Sequence, residues 1–254
     1  MAVFAVIIIA VLAGSMGKND DPPVMYQYRL VEKFPHDPQA FTQGLHYEDG
    51  YFYESTGLNG QSSLRKVKAD TGQVVKRHSL AEEYFAEGMT LFNGKLYQLT
   101  YQKGKTFVYD ANNFKELKTF DYEGEGWGLT HNGTQLIMSN GTDKLTFRDP
   151  ETFEVVRTLK VHESGSPVSK LNELEYINGE VWANIWRSKR IVRISPQNGR
   201  VTGRIDMRGL PPYKDRHGDE DYLNGIAYDV AGQRVLVTGK KYGYVYHIEV
   251  TEKR

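Results

Sequence analysis

FTQGLHYEDG at residues 41 to 50 is the first of five related stretches, and their repetition decides the fold. The others read FAEGMTLFNG (85 to 94), GWGLTHNG (126 to 133), LNELEYING (171 to 179) and LNGIAYDVAG (223 to 232). We call five aligned positions the anchors: Gln43, Glu87, Trp127, Asn172 and Asn224. Successive anchors lie 44, 40, 45 and 52 residues apart, a period that indicates a repeat architecture.

The pattern inside each unit predicts β-strands. A short alternating stretch runs from the anchor to a turn dipeptide of the kind that supplies the positive φ of a tight hairpin. These dipeptides are Asp49-Gly50, Asn93-Gly94, Asn132-Gly133, Asn178-Gly179 and Ala231-Gly232. Two more strands follow in every unit, and the first four units add a fourth. The chain ends after the third strand of the fifth unit, so another segment must complete that sheet.

Residues 25 to 34, MYQYRLVEKF, have strand character and precede the first unit. We expect them to pair as the outer strand of the fifth sheet, because this covers an open edge and ties down both ends of the chain. The predicted fold is all-β, a five-bladed β-propeller whose ring is closed by the N-terminal strand completing the last blade. No stretch shows sustained helical periodicity, and residues 24 to 254 are interpreted as a single domain.

Residues 1 to 23 are excluded from this domain. The run MAVFAVIIIAVLA is uncharged and shorter than the roughly 20 residues that a spanning helix needs, and small residues follow it. It resembles the core of a signal peptide without the basic n-region, although a vector-derived or misassigned start would also explain it. We expect an exported protein, periplasmic or secreted, with no stable membrane association after signal removal.

Composition removes several classes of function. Thirty-two basic residues balance 32 acidic ones, so no global field recruits nucleic acid. With no cysteine, the chain has no disulfide, thiol nucleophile or thiolate metal ligand. The seven histidines show no HxH or HExxH spacing. We therefore expect neither a metal nor another cofactor.

The anchors also predict a site. The innermost strand of each propeller blade lines the central channel, so equivalent residues at its start surround one end of that channel. The anchors differ in type, whereas glycine follows four of the five. A second set lies 14 residues past the first four anchors and 16 past the fifth: Gly57, Tyr101, Gly141, Trp186 and Lys240. Together they supply a carboxylate, an ammonium, three amides and aromatic rings, which suit a pocket with acid–base capacity.

Each candidate also has a structural interpretation. Glu87, flanked by Phe85, could have its pKa raised by burial and act as a general acid–base, or it could cap a strand or pair with Lys240. Tryptophans in strands usually pack in cores, the amides could satisfy backbone groups, and Lys240 could be a solvated surface charge. The segment from 209 to 222, GLPPYKDRHGDEDY, is either a flap over the channel end or a solvated excursion.

Several ordered motifs resemble the plant-type (type I) glutaminyl cyclases, and the resemblance spans about residues 28 to 250. They are FTQGL (41 to 45), AEGMT (86 to 90), NELEY (172 to 176), ANIWRS (183 to 188), LNGIAYD (223 to 229) and TGK (238 to 240). The resemblance implies a five-bladed propeller that converts N-terminal glutamine of peptides and proteins to pyroglutamate and releases ammonia without a metal. We also expect a monomer.

The resemblance implies roles for individual residues. Glu87 matches the proton-transfer position, and we expect Lys240 and Asn172 to stabilise the developing oxyanion. The positions expected to bind substrate are Phe41, Gln43, Trp127, Trp186 and Asn224. Two other classes remain: a non-catalytic propeller that binds peptide or sugar, and a lactonase-like hydrolytic propeller. The latter usually needs a metal held by clustered acidic and amide ligands, and the anchors include one carboxylate only.

Overall fold

The computed structural model describes residues 21–212, 215 and 222–253, and every element named within them is a β-strand. Strand β1 (Val24–Pro35) comes first. The next strands form three antiparallel sheets of four. The first contains β2 (Thr42–Glu48), β3 (Tyr51–Thr56), β4 (Ser63–Lys68) and β5 (Val74–Ser79). The second contains β6 (Ala86–Phe92), β7 (Lys95–Thr100), β8 (Lys105–Asp110) and β9 (Glu116–Asp121). The third contains β10 (Leu129–His131), β11 (Leu136–Ser139), β12 (Lys144–Arg148) and β13 (Val155–Lys160).

An unpredicted hairpin of two short strands, β14 (His162–Glu163) and β15 (Ser166–Pro167), precedes the fourth unit. The remaining strands, together with β1, form one eight-stranded sheet. Its first half is β16 (Leu171–Ile177), β17 (Glu180–Ile185), β18 (Arg190–Ile194) and β19 (Val201–Asp206). Its second half contains β20 (Tyr222–Asp229), β21 (Arg234–Lys240) and β22 (Tyr244–Glu252).

Strand β1 joins the two halves of this sheet. It pairs antiparallel with β22, from Tyr26 opposite Glu252 to Pro35 opposite Tyr244, which confirms the predicted partner of the N-terminal strand. It also pairs parallel with β19 over its first four residues, which the sequence did not predict. Both flanking strands therefore depend on β1 for one row of hydrogen bonds.

The first strands of the five units surround a common axis. Strand β2 contacts β6 and β20, β10 contacts β6 and β16, and β16 contacts β20. Five buried apolar clusters lie between neighbouring units, and one of them joins the first unit to the fifth through Leu45, Phe52, Ala227 and Leu236. The fold is therefore all-β and β-propeller-like.

The glycine that follows the anchors has a steric cause. A Cβ on Gly88 would lie 2.6 Å from the carbonyl oxygen of Trp127, which accepts a hydrogen bond from the Gly88 amide. A Cβ on Gly128 would lie 2.1 Å from the carbonyl oxygen of Asn172. Neighbouring inner strands thus approach so closely at these positions that only glycine fits. The repeated glycine is therefore a consequence of how closely the units pack around the axis.

The predicted hairpin turns are found in part. Positive φ angles occur at both residues of Asp49-Gly50, Asn93-Gly94 and Asn178-Gly179, as expected for two-residue turns. In the third unit only Gly133 has a positive φ. In the fifth unit Gln233 has it and Ala231-Gly232 does not, because that loop is longer than a two-residue turn.

Two sequence-based predictions fall outside the described residues. Of the predicted leader, residues 1 to 23, the first 20 are not described. Eight positions of the segment from 209 to 222 are likewise not described: 213, 214 and 216 to 221. Within the described part of the chain, no helix is long and apolar enough to cross a membrane.

Candidate active site

A cavity of about 360 Å³ lies where the inner strands begin. Its walls contain seven of the eight residues singled out from the sequence: Phe41, Gln43, Glu87, Trp127, Asn172, Trp186 and Lys240. The eighth, Asn224, is buried behind Gln43 and does not line the cavity. The structure therefore brings together residues that are separated by up to two hundred positions in the chain.

β-Bulges position four of the anchors. The regular pairing of the inner strand with its neighbour is interrupted between Thr42 and Gly44 and, in three further units, around Glu87, Asn172 and Asn224. A bulge rotates the local backbone and re-aims the side chain that it carries. In the third unit Trp127 precedes β10 altogether. The anchor side chains thus leave the regular in–out alternation of the sheet.

A chain of hydrogen bonds fixes the Glu87 carboxyl. The Nδ2 of Asn224 donates to Oε1 of Gln43 at 3.0 Å and to the carbonyl oxygen of Thr42 at 3.0 Å. Because Oε1 of Gln43 faces Asn224, its Nε2 faces Glu87 and donates to Oε1 of that carboxyl at 2.7 Å. Asn224 therefore orients Gln43, and Gln43 orients Glu87.

The environment of Glu87 raises its pKa well above the usual range of a carboxyl group. The largest cause is burial, since the residue is only 5% exposed. The ammonium of Lys240 acts in the opposite direction, and the negative charge of Glu125 raises the pKa further. A carboxyl group with a raised pKa is suited both to accept and to return a proton.

Aromatic rings form a continuous arc around the cavity. Ring centroids lie 6.1 Å apart for Phe41 and Phe85, 5.9 Å for Phe85 and Tyr101, 6.4 Å for Tyr101 and Trp127, and 5.5 Å for Trp127 and Trp186. Most of these pairs meet edge to face, an arrangement that is favourable for aromatic quadrupoles. The arc gives the polar groups a low-dielectric wall with a flat surface for an aliphatic side chain.

Two buried polar side chains, Lys240 and Asn172, also line the cavity. Lys240 is 5% exposed, and its Nζ lies 4.6 Å from the centroid of the Phe41 ring. Asn172 is 3% exposed, and its buried Oδ1 has no hydrogen-bond partner among the described residues. Buried polar atoms are normally hydrogen-bonded. An unsatisfied amide in a cavity wall is suited to contact a ligand.

Sequence reasoning missed Tyr222 and Arg187 in the walls, and Glu125 beside them. Most of this signal lies in the register of the repeat, because the residues two positions before the anchors recur at or beside the cavity. They are Phe41, Phe85, Glu125, Lys170 and Tyr222. Glu125 accepts a hydrogen bond from Nε1 of Trp127 at 2.9 Å. Arg187 has no such register, because it follows Trp186 at a φ of 58°.

The donor set offers no obvious metal centre. Among the residues that the structure describes, no group of three or more His, Asp or Glu is arranged to hold a metal ion. The polar groups of the cavity include one carboxyl, one ammonium, two amides, a guanidinium and two tyrosine hydroxyls. They can transfer protons, donate hydrogen bonds to a developing negative charge and orient an amide.

The fold and the site together define a β-propeller-like protein with a buried acid–base pocket at one end of its axis. The glutamine cyclotransferase family model matches residues 3–250, and the chain belongs to this family. This finding confirms the family resemblance seen in the sequence motifs.

Individual relatives agree. The chain is 44% identical over 232 residues to a glutaminyl-peptide cyclotransferase of Arabidopsis thaliana, covering 89% of this chain and 72% of the relative. The crystal structure of Myxococcus xanthus glutaminyl cyclase superposes with a TM-score of 0.86 at 35% identity, covering 91% of this chain and all of that one. The WD40 β-propeller domain of Doa1 matches with a TM-score of 0.51 at 16% identity, over 81% of this chain and 62% of that one. The last likeness concerns the fold alone.

Proposed function

We propose that this protein is a glutaminyl cyclase, which converts the N-terminal glutamine of peptides and proteins to pyroglutamate and releases ammonia without a metal ion. One observation carries the proposal: the buried Glu87 carboxyl, with its raised pKa and its hydrogen bond from Gln43, lines a cavity walled by aromatic rings. Membership of the glutamine cyclotransferase family and the activities of its relatives support it.

The reaction needs a proton carried between two nitrogens. The α-amine of the substrate attacks the carbon of its own side-chain amide, so a nitrogen–carbon bond forms and the carbonyl oxygen gains negative charge. Glu87 takes the proton that the amine loses and returns it to the amide nitrogen, which leaves as ammonia when its bond to carbon breaks. A single carboxyl group whose pKa is raised by burial is suited to both steps.

The other wall residues have supporting roles in this proposal. Lys240 and the amide of Asn172 stabilise the oxyanion in a pocket where water is largely replaced by protein. Phe41, Trp127 and Trp186 hold the aliphatic part of the glutamine in the folded conformer that brings amine and carbonyl together. Gln43 positions Glu87, and Asn224 positions Gln43 without reaching the cavity.

The scaffold in this proposal is a five-bladed β-propeller. The five inner strands in mutual contact and the five apolar clusters between neighbouring units support the count. The eight-stranded sheet then comprises two blades joined edge to edge by β1. We further propose a single domain over residues 24 to 254, which acts as a monomer after export to the periplasm or the medium. The leader-like composition of residues 1 to 23 motivates the export proposal.

The test is mass spectrometry of a peptide that begins with glutamine, incubated with the enzyme in the presence of a strong chelator. We expect the peptide to lose the mass of ammonia at the same rate with and without the chelator. A matched peptide that begins with asparagine should remain unchanged. Failure to convert the glutamine peptide would contradict the function, and loss of turnover on chelation with recovery on adding zinc would contradict the metal-free mechanism.

A further inference from the structure

A basic groove adjoins the candidate active site. It is a cavity of about 520 Å³, and five cationic residues line it together with Asp206: Arg187, Lys189, Arg190, Arg204 and Arg208. Arg187 also lines the active-site cavity, so the two spaces share one wall residue. The groove therefore lies next to the pocket in which the glutamine is proposed to bind.

Part of the positive charge of this groove is compensated within the protein. Arg208 pairs with Asp206, and Arg204 pairs with Glu163 from the β14–β15 hairpin. Lys189 donates hydrogen bonds to the carbonyl oxygen of Leu210 and the hydroxyl of Tyr242. Among the described residues, two of the five cations are thus paired with carboxylates.

Arg187 and Arg190 carry the uncompensated charge. Both are exposed, and neither forms an ion pair with a described residue. The guanidinium of Arg187 lies 4.7 Å from the Trp186 ring and 5.9 Å from the Tyr222 ring, at the edge of the active-site cavity. Arg190 begins β18, three residues further along the chain and outside that cavity. The two guanidinium groups mark a path from the pocket into the groove.

The peptide chain that follows the N-terminal glutamine must extend out of the active-site pocket. Only the first residue reacts, and the cavity of about 360 Å³ is small, so the following residues lie outside it. An extended chain advances roughly 3.3 to 3.6 Å per residue, so a few residues reach beyond the rim. Because Arg187 lines both cavities, the basic groove is a space beside the pocket whose charge can select among peptides.

Resting on the proposed function, we infer that the basic groove binds the segment that follows the N-terminal glutamine and favours substrates with acidic residues there. Complementary charge raises the rate of productive encounter and weakly stabilises the complex. It acts on binding and leaves the chemistry at Glu87 unchanged, so the preference lies in kcat/KM and in KM, with little change in kcat.

The test compares three peptides of equal length that begin with glutamine and glycine and continue with aspartates, serines or lysines. At low salt we expect the wild-type enzyme to prefer the aspartate peptide over the serine peptide by about 3- to 10-fold in kcat/KM, because each exposed pair contributes little. The lysine peptide should be the poorest substrate. At about 1 M salt, where the screening length is about 3 Å, the three values should converge.

Two variants locate the effect. Arg190→Glu reverses a charge in the groove and should abolish the preference for aspartate, measured as the ratio of kcat/KM for the aspartate and serine peptides. Arg77→Glu is the matched control, because Arg77 is also an exposed strand arginine but lies on β5, outside both cavities. It changes the net charge equally and should keep the wild-type preference.

The possible failures are distinguishable. Equal wild-type kcat/KM for the aspartate and serine peptides, with both cyclised, would overturn the groove inference and leave the proposed function intact. The groove inference would also fall if Arg190→Glu and Arg77→Glu weakened the preference equally, or if Arg190→Glu slowed all three peptides by one common factor. Absence of cyclisation in every peptide would overturn the proposed function and the groove inference with it.

Discussion

Nε2 of Gln43 lies 2.7 Å from Oε1 of Glu87 and donates a hydrogen bond to it, although the two residues belong to different units. This bond favours the charged carboxylate, whereas burial favours the protonated acid and dominates the pKa. The balance gives a carboxyl group with a fixed direction and access to both protonation states. Its direction depends on Gln43, and that of Gln43 depends on Asn224.

The first prediction concerns this chain of hydrogen bonds. Asn224→Ala removes the donor to Oε1 of Gln43 and frees the Gln43 amide to rotate away from Glu87. We expect kcat to fall roughly tenfold, equivalent to about 1.4 kcal/mol or one net hydrogen bond, with little change in KM. Gln98→Ala is the control, because Gln98 is equally buried but donates its hydrogen bonds to Ser55 and Ser63, outside the cavity. Equal loss of kcat in both variants would argue against a positioning role.

The second prediction concerns the pH profile. Glu87 must be deprotonated to accept the proton of the amine, so its pKa sets the acid limb of kcat/KM. The negative charge of Glu125 raises that pKa, and Glu125→Gln keeps an acceptor for Nε1 of Trp127 while removing the charge. The acid limb should therefore move to lower pH. Glu123→Gln, an exposed neighbour, should leave it in place, and an unmoved limb in Glu125→Gln would contradict the electrostatic account.

The third prediction concerns stability. Burial raises the pKa of Glu175 to about 8, against the ordinary 4.5 of the unfolded chain. Between these values the folded state holds the proton more tightly, so stability should fall as pH rises, by at most about 1.4 kcal/mol per pH unit. Glu175→Gln should flatten part of this slope, and the slope that remains is expected from Glu173 and Glu87, whose pKa values are also raised. Urea unfolding of the wild type and of Glu175→Gln between pH 4.5 and about 8 measures this slope. Parallel curves of unfolding free energy against pH would contradict the prediction.

The fourth prediction concerns ring closure. Deleting residues 1 to 34 removes nearly all of β1 and leaves β19 and β22 without a partner on one side. Unpaired edges promote association, so this protein should aggregate, as measured by light scattering after size exclusion. Deleting residues 1 to 20 keeps every described pairing and should preserve a stable, soluble protein. A monomeric and fully stable product of the longer deletion would contradict closure by β1.

Much of the fold could be predicted from the sequence because the units repeat one steric constraint around a common axis. Glycine recurs after the anchors where inner strands almost touch, so the repeat gave both the units and their common axis. The fifth unit lacks a fourth strand of its own, and β1 takes that place beside β22. The site residues were found because the same register that repeats the glycine also repeats the pocket positions.

Other features depend on geometry that one strand's pattern does not contain. The parallel contact between β1 and β19 results from how two sheets meet at their outer edges. Arg187 reaches the cavity through a positive φ, which no strand period predicts for an arginine. Asn224 shares the register of the other anchors, yet the Gln43 side chain lies between it and the cavity. Tyr222 and Glu125 share one register position of the repeat, two residues before an anchor, which indicated the site only once the anchors were known to surround a pocket.

The central claim is that Glu87 transfers the proton, and kcat of Glu87→Gln on one peptide that begins with glutamine tests it most directly. The substitution keeps the shape and a hydrogen-bonding group but removes the proton acceptor. We expect the melting temperature and KM to stay close to the wild-type values while kcat falls by about 10²- to 10⁴-fold, or roughly 3 to 5.5 kcal/mol of barrier. A kcat within a few-fold of wild type in a correctly folded variant would contradict the account.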